Sequence, residues 1–444
     1  MHKIKKIHSL VSGNDLIRHN AIFFVGTMGI AVFNYLYYPV IGRLVTVPDF
    51  GEIQAVVSLF MQLGIILTAF GYVITNIVSN ASSREANSLI LRLEQLMLVI
   101  SFVGLLALYG ASFFFKDSFK LSSAMPVLMV GLLIIVNIPS TSRAYILQGM
   151  KRLKEVSIAG IIYALGKLVL SVVLIYLMTN DIVAAIGGYI LAQVLMLAYV
   201  SSKLGGKYVS VKESLKPVQF WKVSKQSKQL IKVELRYGLM ITVILSGLAL
   251  LYSSDTILAR LFFEPHELGL YSAASSVARI IFFVTASVAG VLIATVKLGE
   301  KAQVNFGTLT KSLMILGLIG GAGVVAFSVA PELFITLLVG KNYAEGAALL
   351  PMLSVVMFLC SINNLLAIYQ IALRKYMAII PVVVGVAALG VGLLFYHNTF
   401  TEFIGVLLTA NAIVCVLLFI NIIVEKKRGY LYGERNIVSC TAKL

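Results

Sequence analysis

Four ionisable side chains of this 444-residue chain lie in apolar surroundings that penalise charge. Lys167 lies near the middle of the run IIYALGKLVLSVV, and Arg143 follows Ser140-Thr141-Ser142. Arg279 lies about two turns inside another run, and Asp255 stands beside Ser253, Ser254 and Thr256. At bilayer depth such groups cost roughly 2.5–3.5 kcal/mol on insertion scales, so they face a cavity or a partner. The chemistry open to them is binding rather than catalysis, and three cations against one acid suit an anionic cargo. Arg143 and Arg279 are near enough to an interface for their stems to snorkel, whereas Lys167 is deeper. Asp255 is too short to snorkel. It either serves transport or pairs with a basic residue on another helix.

Two further side chains join this set. Tyr37, in the cluster Asn34-Tyr35-Leu36-Tyr37-Tyr38, offers a ring that stacks on a sugar face or sits in an interfacial aromatic belt. Arg43 ends the same run and, like Arg260, faces either a cavity or the headgroups. The substrate-binding candidates are therefore Lys167, Arg143, Arg279, Arg43 and Tyr37. Cys360, Cys415 and Cys440 have neither metal nor disulfide spacing, so no metal, cofactor or catalytic group is expected.

The elements that must carry these residues follow from composition. With 59% hydrophobic and 12% charged residues and a mean hydropathy of +0.95, the chain is far from the soluble norm of about 25% charged. A spanning helix needs roughly 20 mostly apolar residues. That rule places twelve spans at 21–45, 53–78, 91–115, 124–147, 156–178, 183–200, 237–262, 271–296, 312–338, 347–370, 377–396 and 403–424. Alternating strands of barrel type are absent, so the fold class is all-α and polytopic. Six spans form an N-terminal lobe (1–200) and six a C-terminal lobe (237–424). A basic linker (201–236) joins them, and a short tail (425–444) follows. The basic start, with Lys3, Lys5 and Lys6, leads into a stretch too long for a cleavable signal.

The net charge of +17 belongs to the loops rather than to a nucleic-acid partner. On alternate sides of twelve spans, one side carries only Arg43, Lys116, Lys120, Arg260 and Lys341. Arg143, Lys167 and Arg279 fall within spans, and every other Lys and Arg lies on the opposite side. Basic loops resist translocation, which puts both termini in the cytoplasm. The linker is expected to lie against anionic headgroups. Short outer loops leave no room for an external catalytic domain.

Backbone punctuation adds detail. Pro39 and Pro139 fall inside spans and are expected to kink them, as fixed bends or as hinges. Gly317 and Gly321 make a GxxxG, consistent with close helix packing. The stretch Arg43-Leu44…Pro48-Asp49-Phe50-Gly51 is echoed by Arg260-Leu261…Pro265…Leu268-Gly269, so the two lobes open alike. With an even number of spans between them, they are expected to be parallel repeats about an axis along the membrane normal.

These turns resemble those of bacterial polysaccharide flippases, the O-antigen and exopolysaccharide lipid-linked oligosaccharide translocases. Three other stretches agree: Tyr145-Ile146-Leu147-Gln148-Gly149-Met150-Lys151-Arg152, Tyr369-Gln370-Ile371-Ala372-Leu373-Arg374-Lys375, and Gly340-Lys341-Asn342-Tyr343-Ala344-Glu345-Gly346-Ala347. The resemblance covers essentially the whole chain. It implies the multidrug-exporter type of scaffold, two six-helix lobes around a central cavity that work by alternating access. It also implies a polyprenyl-diphosphate-linked oligosaccharide as cargo, the bacterial cytoplasmic membrane as location, and no enzymatic activity. Asp255 occupies the position of the acid in that family's seventh span, which makes it the candidate for proton or sodium coupling. Twelve spans depart from the fourteen of the peptidoglycan-precursor branch and argue against that cargo. The alternatives are a cation-coupled exporter of drugs or metabolites on the same scaffold, and a glycan polymerase. Lys167→Ala and Arg143→Ala are expected to impair transport without loss of expression.

Overall fold

The computed structural model describes residues 15–80, 83–115, 125–205, 225–296, 302–373 and 375–431. Among the described residues the chain is helical throughout, with no strand. In lipid a helix meets its own backbone hydrogen-bonding needs, and these apolar runs are long enough to do so. Among the described residues helix occupies most of each predicted interval. Nine helices among the described residues are long and apolar enough to cross a membrane, and a bent pair makes a tenth. The predicted linker and tail fall largely outside the described residues, at 206–224 and 432–444.

The chain divides into two compact units, Met1–Leu239 and Met240–Leu444. In the first lie α1 (Asp15–Leu44), α2 (Val47–Asn80), α3 (Ser83–Phe115), α4 (Met125–Gly149), α5 (Leu153–Leu177) and α6 (Asp181–Leu204). Helix α5 packs along α1 and α6, α4 packs on α2 and α6, and α3 leans on α4. Gly188 permits the α5–α6 approach, since a Cβ there would lie 2.1 Å from Ser171 Oγ. Gly160 does the same for α5 against Ile30 of α1, at 2.3 Å. A stripe on α3 (Leu96, Val99, Ile100, Val103) stays exposed, as a lipid-facing surface requires.

Helix α7 (Lys225–Ser253) leads into the second unit, which continues with α8 (Asp255–Phe262), α9 (Pro265–Thr295), α10 (Ala302–Val329) and α11 (Pro331–Leu338). A 3₁₀ segment (Lys341–Leu349) runs into α12 (Leu350–Ala372), and a short 3₁₀ turn (Tyr376–Ala378) into α13 (Ile379–Phe395). Helix α14 (Phe400–Leu431) follows. Here α12 packs on α9, α10 and α14, and α13 packs on α14.

Two of the predicted spans are broken, and neither break is at the prolines singled out above. Pro39 and Pro139 sit inside α1 and α4, which continue through them. The interval 237–262 instead bends by 50° between Ser253 and Asp255, where Ser253 Oγ returns to the carbonyl of Ala249 at 3.0 Å and Ser254 Oγ to that of Leu250. Such back-bonding competes with the helical ladder and bends it. The interval 312–338 breaks at Ala330, ahead of Pro331, whose ring disfavours helical backbone in the residue before it. The GxxxG expectation is also corrected. A Cβ on Gly317 or Gly321 would meet nothing within 4 Å among the described residues, whereas Gly320 faces Phe358 of α12 and Gly323 faces Ile281 of α9.

The echoed turns share one construction. Arg43 lies in the last turn of α1 and Arg260 in the last turn of α8, with a proline in the first turn of the helix that follows each. The first start is tied by Thr46 and Asp49, with the Asp49 N–H 3.4 Å from Thr46 Oγ1. The second is a capping box of Glu264 and Glu267, closed by the Glu264 N–H on Glu267 Oε2 at 3.1 Å. Helices α4 and α12 also end alike. The Arg152 N–H reaches the carbonyl of Leu147, and the Lys375 N–H that of Gln370, each at 2.9 Å. At the first of these ends Lys151 takes the left-handed conformation (φ 60°) that glycine normally supplies.

Candidate functional site

In the first unit, Lys167 and Tyr37 come together. Lys167 projects from mid-α5 and is 3% exposed. Its Nζ lies 5.1 Å from the ring centre of Tyr37 on α1, 5.9 Å from Tyr163 one turn back on α5, and 4.8 Å from Tyr189 on α6. Tyr37 and Tyr189 meet edge to face at 5.0 Å between ring centres. The Gly188 contact that draws α6 onto α5 also sets Tyr189, the next residue, against the lysine. An ammonium over a desolvated aromatic face gains about 2 kcal/mol per good contact. Lys167 has no carboxylate partner among the described residues, and Tyr37 and Tyr189 are buried beside it.

Arg143 is arranged otherwise. Its guanidinium bonds Glu94 of α3 at 2.9 Å, with the two side chains 1% and 0% exposed. It also donates to the carbonyl of Pro139 at 2.7 Å. Around that proline, Gln193 of α6 donates to Asn137 Oδ1 at 2.7 Å and to Ser140 Oγ. Ser142 Oγ donates to the carbonyl of Ile138 at 2.8 Å. Counting a single interior acid therefore missed Glu94, which lies at the polar edge of its run. Arg43 is exposed at the end of α1.

In the second unit the acid is the centre. Asp255 opens α8 at the 50° bend and is 1% exposed. Its Oδ1 accepts from Arg279 at 2.5 Å, and its Oδ2 accepts from Ser275 at 2.6 Å and from the Tyr271 hydroxyl at 3.1 Å. Tyr271, Ser275 and Arg279 are spaced by four and so share one face of α9. That stripe was present in the sequence as three polar positions at helical spacing. Arg279 therefore does not snorkel, and Asp255 has the basic partner on another helix that was one of its two readings. Arg260 is buried as well. Behind the acid lies a neutral polar layer. Cys360 Sγ is 3.2 Å from Asn411 Oδ1, and Asn363 Nδ2 donates to the Asn411 carbonyl at 3.0 Å.

Chemically, the first unit offers hydrogen-bond donors and ring faces around an uncompensated cation, whereas the second offers a charge-balanced network. Among the described residues no cluster of His, Cys, Asp or Glu is set to hold a metal.

Solved structures share this fold at low identity. An inward-facing multidrug-resistance MATE family transporter of the MOP superfamily aligns with a TM-score of 0.67 at 13% identity, over 93% of this chain and 99% of that one. The lipid II flippase MurJ in an inward closed conformation aligns with a TM-score of 0.65 at 13% identity, over 90% of this chain and 87% of that one. A eukaryotic MATE transporter, AtDTX14, aligns with a TM-score of 0.56 at 12% identity, over 92% of this chain and 96% of that one. No curated protein matches the chain. Residues 16–295 match the family described as polysaccharide biosynthesis protein. That match spans more than half the chain, and the protein belongs to this polysaccharide biosynthesis family.

Proposed function

We propose that this protein flips a polyprenyl-diphosphate-linked oligosaccharide from the cytoplasmic to the outer leaflet of a bacterial cytoplasmic membrane by alternating access, with both termini cytoplasmic. The observation that carries this reading is Lys167, a buried ammonium walled by tyrosines and without a carboxylate among the described residues. The ammonium fits an anionic glycan and repels the cationic drugs that an exporter would have to hold, and the rings offer faces for a sugar. The test uses vesicles containing purified protein and labelled undecaprenyl-diphosphate-linked glycan, beside a working control flippase. Movement of the glycan in wild type, lost in Lys167→Ala, is the expected result. No movement in wild type overturns the proposal.

A second reading, a cation-coupled exporter of drugs or metabolites, draws on the likeness to multidrug transporters, and drug efflux in a pump-deficient host separates the two. A glycan polymerase is the remaining alternative. A strain lacking a polymerase still exports single repeat units, and one lacking a flippase exports none. Asp255 is the coupling candidate for a proton or sodium ion. Its two oxygens already accept from Arg279, Ser275 and Tyr271, so an arriving cation competes with these donors.

A further inference from the structure

Lys167 lies roughly 20 Å and 15 Å from the two ends of α5 by helical rise, near the middle of a hydrocarbon layer about 30 Å thick. A diphosphate joined to a polyprenyl chain belongs at headgroup depth, where Arg43 stands at the end of α1. What must cross the middle is the glycan. Three features of the lysine site bear on which kind of sugar it accepts. The site has one cation, since Arg143 in the same unit is paired with Glu94. A diphosphate diester carries more than one charge and is met by several cations or a bidentate arginine. The polar groups beside Lys167 that can donate to a carboxylate are its own ammonium and the Tyr37 and Tyr189 hydroxyls. Finally, the ring faces at 4.8–5.9 Å are the surfaces that stack on the C–H face of a pyranose.

We infer that Lys167, Tyr37 and Tyr189 form a subsite for a singly charged acidic sugar of the hexuronate class within the cargo, and that this subsite does not bind the diphosphate. The inference rests on the transport reading above and deepens it. Each carboxylate oxygen of a hexuronate finds a donor: one takes the ammonium, and the other takes a phenol hydroxyl. The tyrosine rings now packed on the ammonium part to let the sugar in. The half-buried Tyr163 is the member of the cage closest to the surface of the unit.

The test measures binding of a glucuronate-containing tetrasaccharide, of its carboxyl-reduced counterpart, and of inorganic pyrophosphate to the full-length detergent-purified protein. The uronate form should bind about tenfold more tightly than the reduced form, the effect of one charge-assisted hydrogen bond. Lys167→Ala should abolish the difference, Lys167→Arg should keep it, and pyrophosphate should not compete. A difference that survives in Lys167→Ala, or competition by pyrophosphate, overturns the inference. Should Lys167→Ala fail to fold, Tyr37→Phe/Tyr189→Phe removes the hydroxyls and keeps the rings. It should narrow the preference severalfold, and an unchanged preference counts against the subsite. The two proposals fail separately. Vesicles that flip a hexuronate-containing lipid-linked glycan equally well with and without Lys167 leave the transport reading intact and remove this one. Uronate selectivity without any flipping does the reverse.

Discussion

Lys167 in the first unit and Asp255 in the second meet the same difficulty, a charge held away from water, in opposite ways. In the first, Lys167 is held by quadrupoles: three tyrosine rings attract the ammonium, and no carboxylate among the described residues cancels it. In the second, Asp255 is held by donors, and Arg279 cancels its charge outright. A cancelled charge is a clasp, whose removal leaves its partner stranded. A charge held by rings keeps its attraction for an incoming anion, because a ring face solvates a cation without supplying an acceptor. The comparison teaches that burial and charge together do not mark a binding group. What marks it is the absence of a counter-charge.

The sharpest way to break this contrast is to remove one side of a clasp. Asp255→Ala should destabilise the protein by about 3–5 kcal/mol, because Arg279 is left buried and unmatched. Thermal unfolding in detergent reads this, and Asp255→Ala/Arg279→Met should recover most of the loss. Arg143→Ala should behave similarly, by about 3–5 kcal/mol, through Glu94. This revises the expectation that Arg143→Ala spares expression, whereas Lys167→Ala retains it. Ser275→Ala removes one donor from a charged acceptor and should cost about 1.5–3 kcal/mol by the same measurement. Lys167→Met should move stability least, by about 1 kcal/mol or less, since an apolar side chain of similar length replaces a buried ion. Transport should nevertheless fall by about tenfold or more, the loss of one charge-assisted contact. A Lys167→Met protein that transports normally would erase the difference between the units.

Much of the architecture was legible because a bilayer demands long apolar runs, and such runs are hard to hide. The limits of the helices were less so. A proline inside a run marks a lost hydrogen bond, yet α1 and α4 continue through Pro39 and Pro139 while two serines before Asp255 bend the seventh span. Hydroxyls that return to the preceding turn act through side-chain geometry, which apolar patterning does not record. The residues of the candidate sites were half legible. Lys167, Tyr37, Arg279 and Asp255 stood out as types out of place. Tyr163 and the stripe Tyr271, Ser275 and Arg279 carried a spacing signal that went unread. Tyr189 and Glu94 carried none, since their importance depends on which neighbouring helix faces them. Gly188 shows how that choice is made locally, by one missing Cβ where α6 crosses Ser171.

The two deeply buried ion pairs described above join neighbouring helices in the chain: Glu94 on α3 with Arg143 on α4, and Asp255 on α8 with Arg279 on α9. This has a consequence for biogenesis. A helix with a charge near its centre is a poor substrate for insertion on its own, at roughly 2.5–3.5 kcal/mol per charge. Two consecutive helices that leave the translocon together present that charge already matched, as a hairpin whose interior is neutral. Among the described residues Lys167 has no such carboxylate companion on α4 or α6, and on α6 the ring of Tyr189 faces it. Its other ring outside α5 is Tyr37 of α1, which emerged first and stands ready when the lysine arrives. The order of synthesis thus supplies each buried charge with its host.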